Sequence, residues 1–107
     1  DEEEGEYCGY LVRGVEENRE KIDNEIQARS KNWEISRMDL VDRNILRLAA
    51  FELMDEPGLA PAIVINEAVE IAKKFGGENS PNFVNGVLDG LRKRIKNPQG
   101  NKRECYD

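Results

Sequence analysis

Two stretches of the chain carry apolar residues at helical intervals. Val64 or Ile65, Ala68, Val69, Ala72 and Phe75 make the first; Val84, Val87, Leu88, Leu91 and Ile95 make the second. Spacings of three and four gather such residues on one helical face, whereas a half-buried strand needs strict alternation. Gly76-Gly77 is expected to stop the first helix by adopting the left-handed cap conformation. Ser80-Pro81 signals the start of the second, with serine as N-cap and proline in the first turn. One dipeptide conflicts: Asn85-Gly86, between Phe83-Val84 and Val87-Leu88, also spells a type I′ hairpin turn. The helical start signal and the continuing period outweigh it. Glycine inside a helix costs about 1 kcal/mol relative to alanine, so Gly86 is expected to permit close approach of another helix or of a ligand.

The preceding segment predicts a central helix. Ser36-x-x-Asp39 has the form of a capping box, and the helix behind it runs to about Met54. Its first half is amphipathic through Val41, Ile45 and Leu48; from Leu46 to Met54 it is apolar nearly all round, the pattern of a buried helix. Pro57 and Pro61 bracket a loop that contains Gly58. Upstream, Tyr7, Leu11, Val15, Ile22 and Ile26 predict two helices near 7–17 and 19–29. Residues 1–6 read as an acidic, disordered end and 97–107 as a flexible tail. The expected fold is all-α: one bundle of about five helices over 7–96, with no sheet. Its predicted core is Ile45, Leu48, Ala49, Leu53, Val64 and Ala68, then Ala72, Val84, Val87, Leu88 and Leu91.

Charge and residue inventory exclude several function classes. The formal net charge of −6 argues against a general phosphate-binding surface. The charge is uneven, however: Asp1, Glu2, Glu3, Glu4 and Glu6 open the chain, while Arg92, Lys93, Arg94, Lys96, Lys102 and Arg103 lie near its end. An acidic protein can still bind RNA through a local patch. There is no histidine, which removes the commonest general base and transition-metal ligand. Ser30, Ser36 and Ser80 have no base beside them, and no glycine-rich phosphate loop follows a strand. A non-enzymatic protein without cofactor or metal is expected. Cys8 and Cys105 form neither a disulfide framework nor a metal site, and reduced thiols are expected. No apolar run approaches the ~20 residues of a membrane helix, and a cytoplasmic location follows as an expectation.

Binding candidates remain, each with a plainer alternative. Asn66 and Glu67 interrupt an apolar helix start and form either a polar stripe facing water or a partner-facing pair. Arg43 and Arg47, one turn apart, could meet phosphates, but salt bridging with Asp39, Asp42 or Glu52 is the preferred reading. The loop Gly76-Gly77-Glu78-Asn79-Ser80, with Asn82 and Phe83, places helix-terminal amides beside amide side chains and an aromatic ring. Phosphate is attracted to helix N-termini, and unstacked RNA bases pair with amides and stack on rings. The alternative is an ordinary capped turn with Phe83 in the core. Lys73, Lys74 and Arg92-Lys93-Arg94 could supply positive charge or be solvated; Glu70 and Lys74 are spaced for an intrahelical pair.

An ordered series of segments resembles the NusB family. It runs through Asp42-Arg43-Asn44-Ile45-Leu46-Arg47-Leu48-Ala49 and Glu52-Leu53, then Val64-Ile65-Asn66-Glu67-Ala68-Val69-Glu70-Ile71-Ala72-Lys73-Lys74-Phe75-Gly76, and closes with Ser80-Pro81-Asn82-Phe83-Val84-Asn85-Gly86-Val87-Leu88-Asp89. Leu11-Val12-x-Gly14-Val15, Ile22-Asp23-x-x-Ile26 and Trp33 also fit, so the likeness covers about Tyr10 to Leu91, the family's C-terminal portion. It implies an all-helical antitermination factor that binds boxA-type single-stranded RNA of ribosomal transcripts together with the ribosomal protein NusE, within the transcription elongation complex. It also implies that Asn79, Ser80 and Phe83 approach RNA. The family's basic first helix has no counterpart before Tyr7, where this sequence carries acids. Without that cover, the apolar faces of helices 7–17 and 37–54 are expected to drive self-association. Two other functions stay open. One is a helical protein-interaction module without RNA binding; the other is an RNA-recruiting domain related to that of ribosomal RNA cytosine methyltransferases.

Overall fold

The structure, a computed structural model, describes residues 2–30, 34–55 and 60–96. Five helices run in order: α1 (Glu2–Glu17), α2 (Arg19–Arg29), α3 (Leu40–Asp55), α4 (Pro61–Phe75) and α5 (Ser80–Lys96). A single 3₁₀ turn, Ile35–Arg37, precedes α3. The described residues contain no strand, and Asn85-Gly86 lies inside α5. The expected all-α bundle is therefore what forms. Trp33, Pro57, Gly58 and the tail from 97 onward lie outside the described residues, as does Cys105.

The core joins all five helices. Ile22 and Ile26 of α2, Leu46 and Ala50 of α3, Ala72 of α4 and Val84, Leu88 and Leu91 of α5 are sealed from solvent or nearly so. Ten of the eleven predicted core residues are buried. Leu48 is the exception, at 39% exposed. Ile45, Ala49 and Leu53 line one side of α3, while Leu46 and Ala50 extend the buried arc on the side away from Leu48. Because α3 is apolar almost all round, its period cannot choose which face is covered; the packed neighbours do. Phe75, counted with the α4 stripe, is 68% exposed at the helix end.

Helix ends differ from expectation in instructive ways. α1 begins at Glu2, so residues 2–6, expected as a disordered acidic end, continue the helix. Glutamate is a good helix former, and acids favour the positive end of the helix dipole. α3 starts four residues after Ser36, and the Arg43 amide donates to the Asp39 carbonyl at 2.9 Å, which makes Asp39 the N-cap position. Met38 stays extended and is buried, which delays the helix. Gly76 ends α4 with φ −95° and ψ −172°, extended rather than left-handed. Space explains the glycine: a Cβ there would lie 2.6 Å from both the Cβ and the Oγ of Ser80. Gly86 is exposed, and nothing lies within 4 Å of where its Cβ would be, so it admits no helix of this chain. The close approach occurs at Gly14 instead, where a Cβ would fall 2.0 Å from the Phe51 ring. Tyr10 stacks tilted on the same ring at 5.4 Å and its hydroxyl donates to Asp55, locking α1 onto α3.

Candidate nucleic-acid interface

The turn between α4 and α5 is built by a small ring of hydrogen bonds. The Gly77 amide donates to Ser80 Oγ at 2.8 Å, and the Ser80 amide donates back to the Gly77 carbonyl at 3.1 Å. Phe83 N–H then donates to the Asn79 carbonyl at 3.1 Å, which puts Asn79, not Ser80, at the N-cap position. Ser80 is 5% exposed and its hydroxyl faces the turn. It shapes the loop. Asn79 and Asn82 are exposed, and Phe83 packs half-buried against the core.

This turn faces the start of α3 across a cleft of about 380 Å³. One wall is Arg37, Met38, Asp39 and Asp42; the other is Gly77, Glu78, Asn79, Ser80 and Phe83. Sequence reasoning found only the second wall. Asp39 and Asp42 read as helix-capping or salt-bridging acids, and nothing in the period of α3 says that its first turn lies beside a loop some forty residues later.

The expected cations are mostly engaged. Lys73 pairs with Glu70 at 3.1 Å, in place of the expected Glu70–Lys74 pair. Lys74 is exposed on the last turn of α4, and neither lysine lines the cleft. Arg92 and Lys93 hold Asp89 at 2.8 and 3.2 Å, while Arg94 reaches Glu25 at 3.2 Å. The Lys93 hydrogen bond, followed by that of Arg92, keeps the Asp89 carboxyl below its ordinary pKa, against an opposing effect of desolvation. Arg47, for which Asp39, Asp42 or Glu52 was the expected partner, makes a two-pronged contact with Asp23 of α2, both distances 2.9 Å. Arg43 donates to the Ile35 carbonyl at 3.4 Å.

Asn66 lies elsewhere. With Ala62, Ile65 and Val69 it forms one side of a groove of about 260 Å³, which Asn85, Asp89 and Arg92 of α5 close from the other side. Glu67 is exposed on α4 and lines neither depression. The sequence candidates thus divide: Asn79, Ser80 and Phe83 share one cleft, Asn66 borders a second, and Asn82, Glu67, Lys73 and Lys74 are exposed outside both. No group of three or more metal-ligating side chains gathers among the described residues. No helix there is long and apolar enough to cross a membrane.

Comparison with known proteins places this geometry in context. A profile described as the NusB family matches residues 1–93. A transcription antitermination protein NusB from Trichlorobacter lovleyi is 57% identical over 86 residues, covering 80% of this chain and 61% of that protein. One from Elusimicrobium minutum is 47% identical over 95 residues, covering 88% of this chain and 68% of its own length. A solved structure of T. maritima NusB superposes with a TM-score of 0.84 at 43% identity, covering 87% of this chain and 66% of the other. The chain therefore spans roughly three-fifths of the length of several curated relatives.

Proposed function

The chain belongs to the NusB family, and from that premise we propose that it serves in transcription antitermination as an RNA-binding helical domain. The family is one of antitermination factors and not of enzymes. The observation that carries the reading is the cleft at the α4–α5 turn, where the half-buried Phe83 ring and the exposed Asn79 share one concave surface. A ring beside an amide suits one unstacked base of a single strand. The resemblance supplies the finer proposal: the RNA is of boxA type, and NusE and the elongation complex are the protein partners. The groove beside Asn66, with Glu67 on the same helix, is the surface proposed for the protein partner.

The test is a titration of boxA RNA into the chain with and without NusE. Asn79→Ala removes an exposed side chain and, because Asn79 is the N-cap residue of α5, is first checked for folding by circular dichroism. Phe83→Leu keeps apolar packing but loses the aromatic ring. Stacking of one base on a protein ring is worth about 1–3 kcal/mol, so Phe83→Leu should weaken binding in the presence of NusE by about fivefold or more. Equal binding by the parent and both folded variants removes the turn from the RNA surface.

A second reading, a protein-interaction module without RNA binding, is favoured by the engagement of Arg92, Lys93 and Arg94 in ion pairs. Exposed Val12, Leu40 and Leu48 would give it apolar contact surface, including contact with a second copy. RNA affinity that stays undetectable at low salt, with NusE present, favours this alternative.

A further inference from the structure

Arg37 is the one cation lining the cleft, against three carboxylates, those of Asp39, Asp42 and Glu78. It is exposed, and its guanidinium makes no ion pair among the described residues. Arg47, Arg92 and Arg94, by contrast, are each held by a carboxylate. A phosphate at the cleft is repelled by the acids and accepted only where this guanidinium stands. The place at which Arg37 is held therefore matters to any nucleic-acid strand there.

Arg37 ends the 3₁₀ turn Ile35–Arg37, whose own bonds are two: the Arg37 amide donates to the Glu34 carbonyl and the Met38 amide to that of Ile35. A single turn fixes more backbone than so few bonds repay, and it needs support from outside. Side chains of two helices supply that support at Ile35. From α2, Gln27 Oε1 accepts from the Ile35 N–H at 3.0 Å, while Gln27 Nε2 donates to the Ser30 carbonyl at 3.3 Å. One side-chain amide thus bridges the two ends of the connection after α2. From α3, Arg43 donates to the Ile35 carbonyl at 3.4 Å. Gln27 is half-buried and takes no part in the cleft walls. We propose that Gln27 is a positioning residue for RNA binding. By holding the Ile35 N–H it fixes the turn that carries Arg37, and Arg37 so held meets one backbone phosphate of the strand. The proposal rests on the RNA-binding reading above. The bridge needs an acceptor and a donor on one side chain, which an amide has and an apolar chain of equal length lacks.

The test is the salt dependence of binding. The complete chain, with NusE present, is titrated with boxA RNA by fluorescence anisotropy at several salt concentrations. For single strands each phosphate contact adds about 0.7 to the slope of log affinity against log salt. Arg37→Gln should lower the slope by about 0.7 and weaken binding about tenfold at low salt, the loss of one charge-assisted contact. Gln27→Met, similar in length but without the amide, should do the same while leaving every charge in place. The double variant should match Arg37→Gln to within about twofold, because both changes remove one contact. Deuterium exchange at the Ile35 amide should quicken in Gln27→Met and stay as it is in Arg37→Gln. A Gln27→Met change that weakens binding equally with and without Arg37, at unchanged slope, is a general loss of structure and overturns the proposal. An unchanged slope in Arg37→Gln overturns it whatever the folding of Gln27→Met, and with the parent still binding it spares the RNA-binding reading. A parent that binds no RNA at any salt, with NusE present, overturns both.

Discussion

The α4–α5 hairpin and the α1–α3 seam bury apolar surface by different means. In the hairpin, each helix has one apolar stripe, and all but its margins and the terminal Phe75 are buried where the period puts them: Val64, Ala68 and Ala72 on α4, and Val84, Val87 and Leu88 on α5. In the seam, α1 meets a helix that is apolar nearly all round. Contact there depends on a glycine, Gly14, that admits the Phe51 ring, with Tyr10 laid over it. A stripe declares its own burial. A uniformly apolar helix leaves the choice to its neighbours, and a single small residue opposite can decide it.

The largest expected effects test that contrast within α3 itself. Leu46 is 0% exposed and Leu48, two residues on, is 39% exposed. Truncating a buried leucine to alanine typically costs about 2–5 kcal/mol. Leu46→Ala should therefore cost about that much in urea unfolding, as should Leu88→Ala in the hairpin. Leu48→Ala should cost clearly less, about 1 kcal/mol, since more than a third of the residue still faces water. Comparable losses at Leu46 and Leu48 would mean that the face assigned to α3 is wrong.

Glycine substitutions give the next largest effects, with opposite signs in the two regions. Gly14→Ala drives a methyl group into the Phe51 ring, and overpacking of this kind costs about 1–3 kcal/mol. Gly86→Ala meets open space in the middle of α5, and should gain up to about 1 kcal/mol from helix propensity. Thermal melts of the two variants should move in opposite directions. A destabilised Gly86→Ala would point to a contact that the chain does not make by itself.

Ion pairs give the smallest expected effects. The Asp23–Arg47 fork ties α2 to α3, with side chains 25% and 15% exposed. A double-mutant cycle with Asp23→Asn and Arg47→Gln should return a coupling of about 1 kcal/mol, since the pair is charge-assisted but not fully shielded. Asp89, on the hairpin, tests the surface counterpart through pH. Its folded-state pKa is lowered, chiefly by the Lys93 hydrogen bond. Its contribution is therefore present above the ordinary aspartate value and lost as the pH falls through the lowered one. Asp89→Asn should lower neutral-pH stability slightly and flatten that part of the acid dependence, so that parent and variant converge at low pH. An unaltered acid limb would remove Asp89 from the account.

Much of the fold was legible because local signals agreed. The extents of α2, α4 and α5, ten of eleven proposed core residues, and the outcome of the Asn85-Gly86 conflict all follow from period and start signals. The helix caps were harder to read. Ser36 and Ser80 have cap-like sequence contexts, yet Asp39 and Asn79 hold the cap positions. A buried Met38 delays one helix, and the Gly77–Ser80 hydrogen bonds turn the serine hydroxyl back into the loop. At the candidate site, Asn79 and Phe83 stood out as an amide and a ring beside a helix start. The acidic wall did not, because Asp39 and Asp42 have ordinary helix-end roles when seen along the chain alone.

Helix type, order and the stripes of the hairpin are properties of short segments, carried by side-chain spacing and by glycine and proline backbone preferences, and the sequence determines them by itself. The exposed face of Leu48, the seating of Phe51 over Gly14, the Arg47–Asp23 pairing and the acidic cleft between α3 and the α4–α5 turn were decided only in three dimensions. Each joins residues distant in the chain, or chooses among faces that are locally equivalent. Such choices depend on which surfaces pack together, and no periodicity along one helix contains that information.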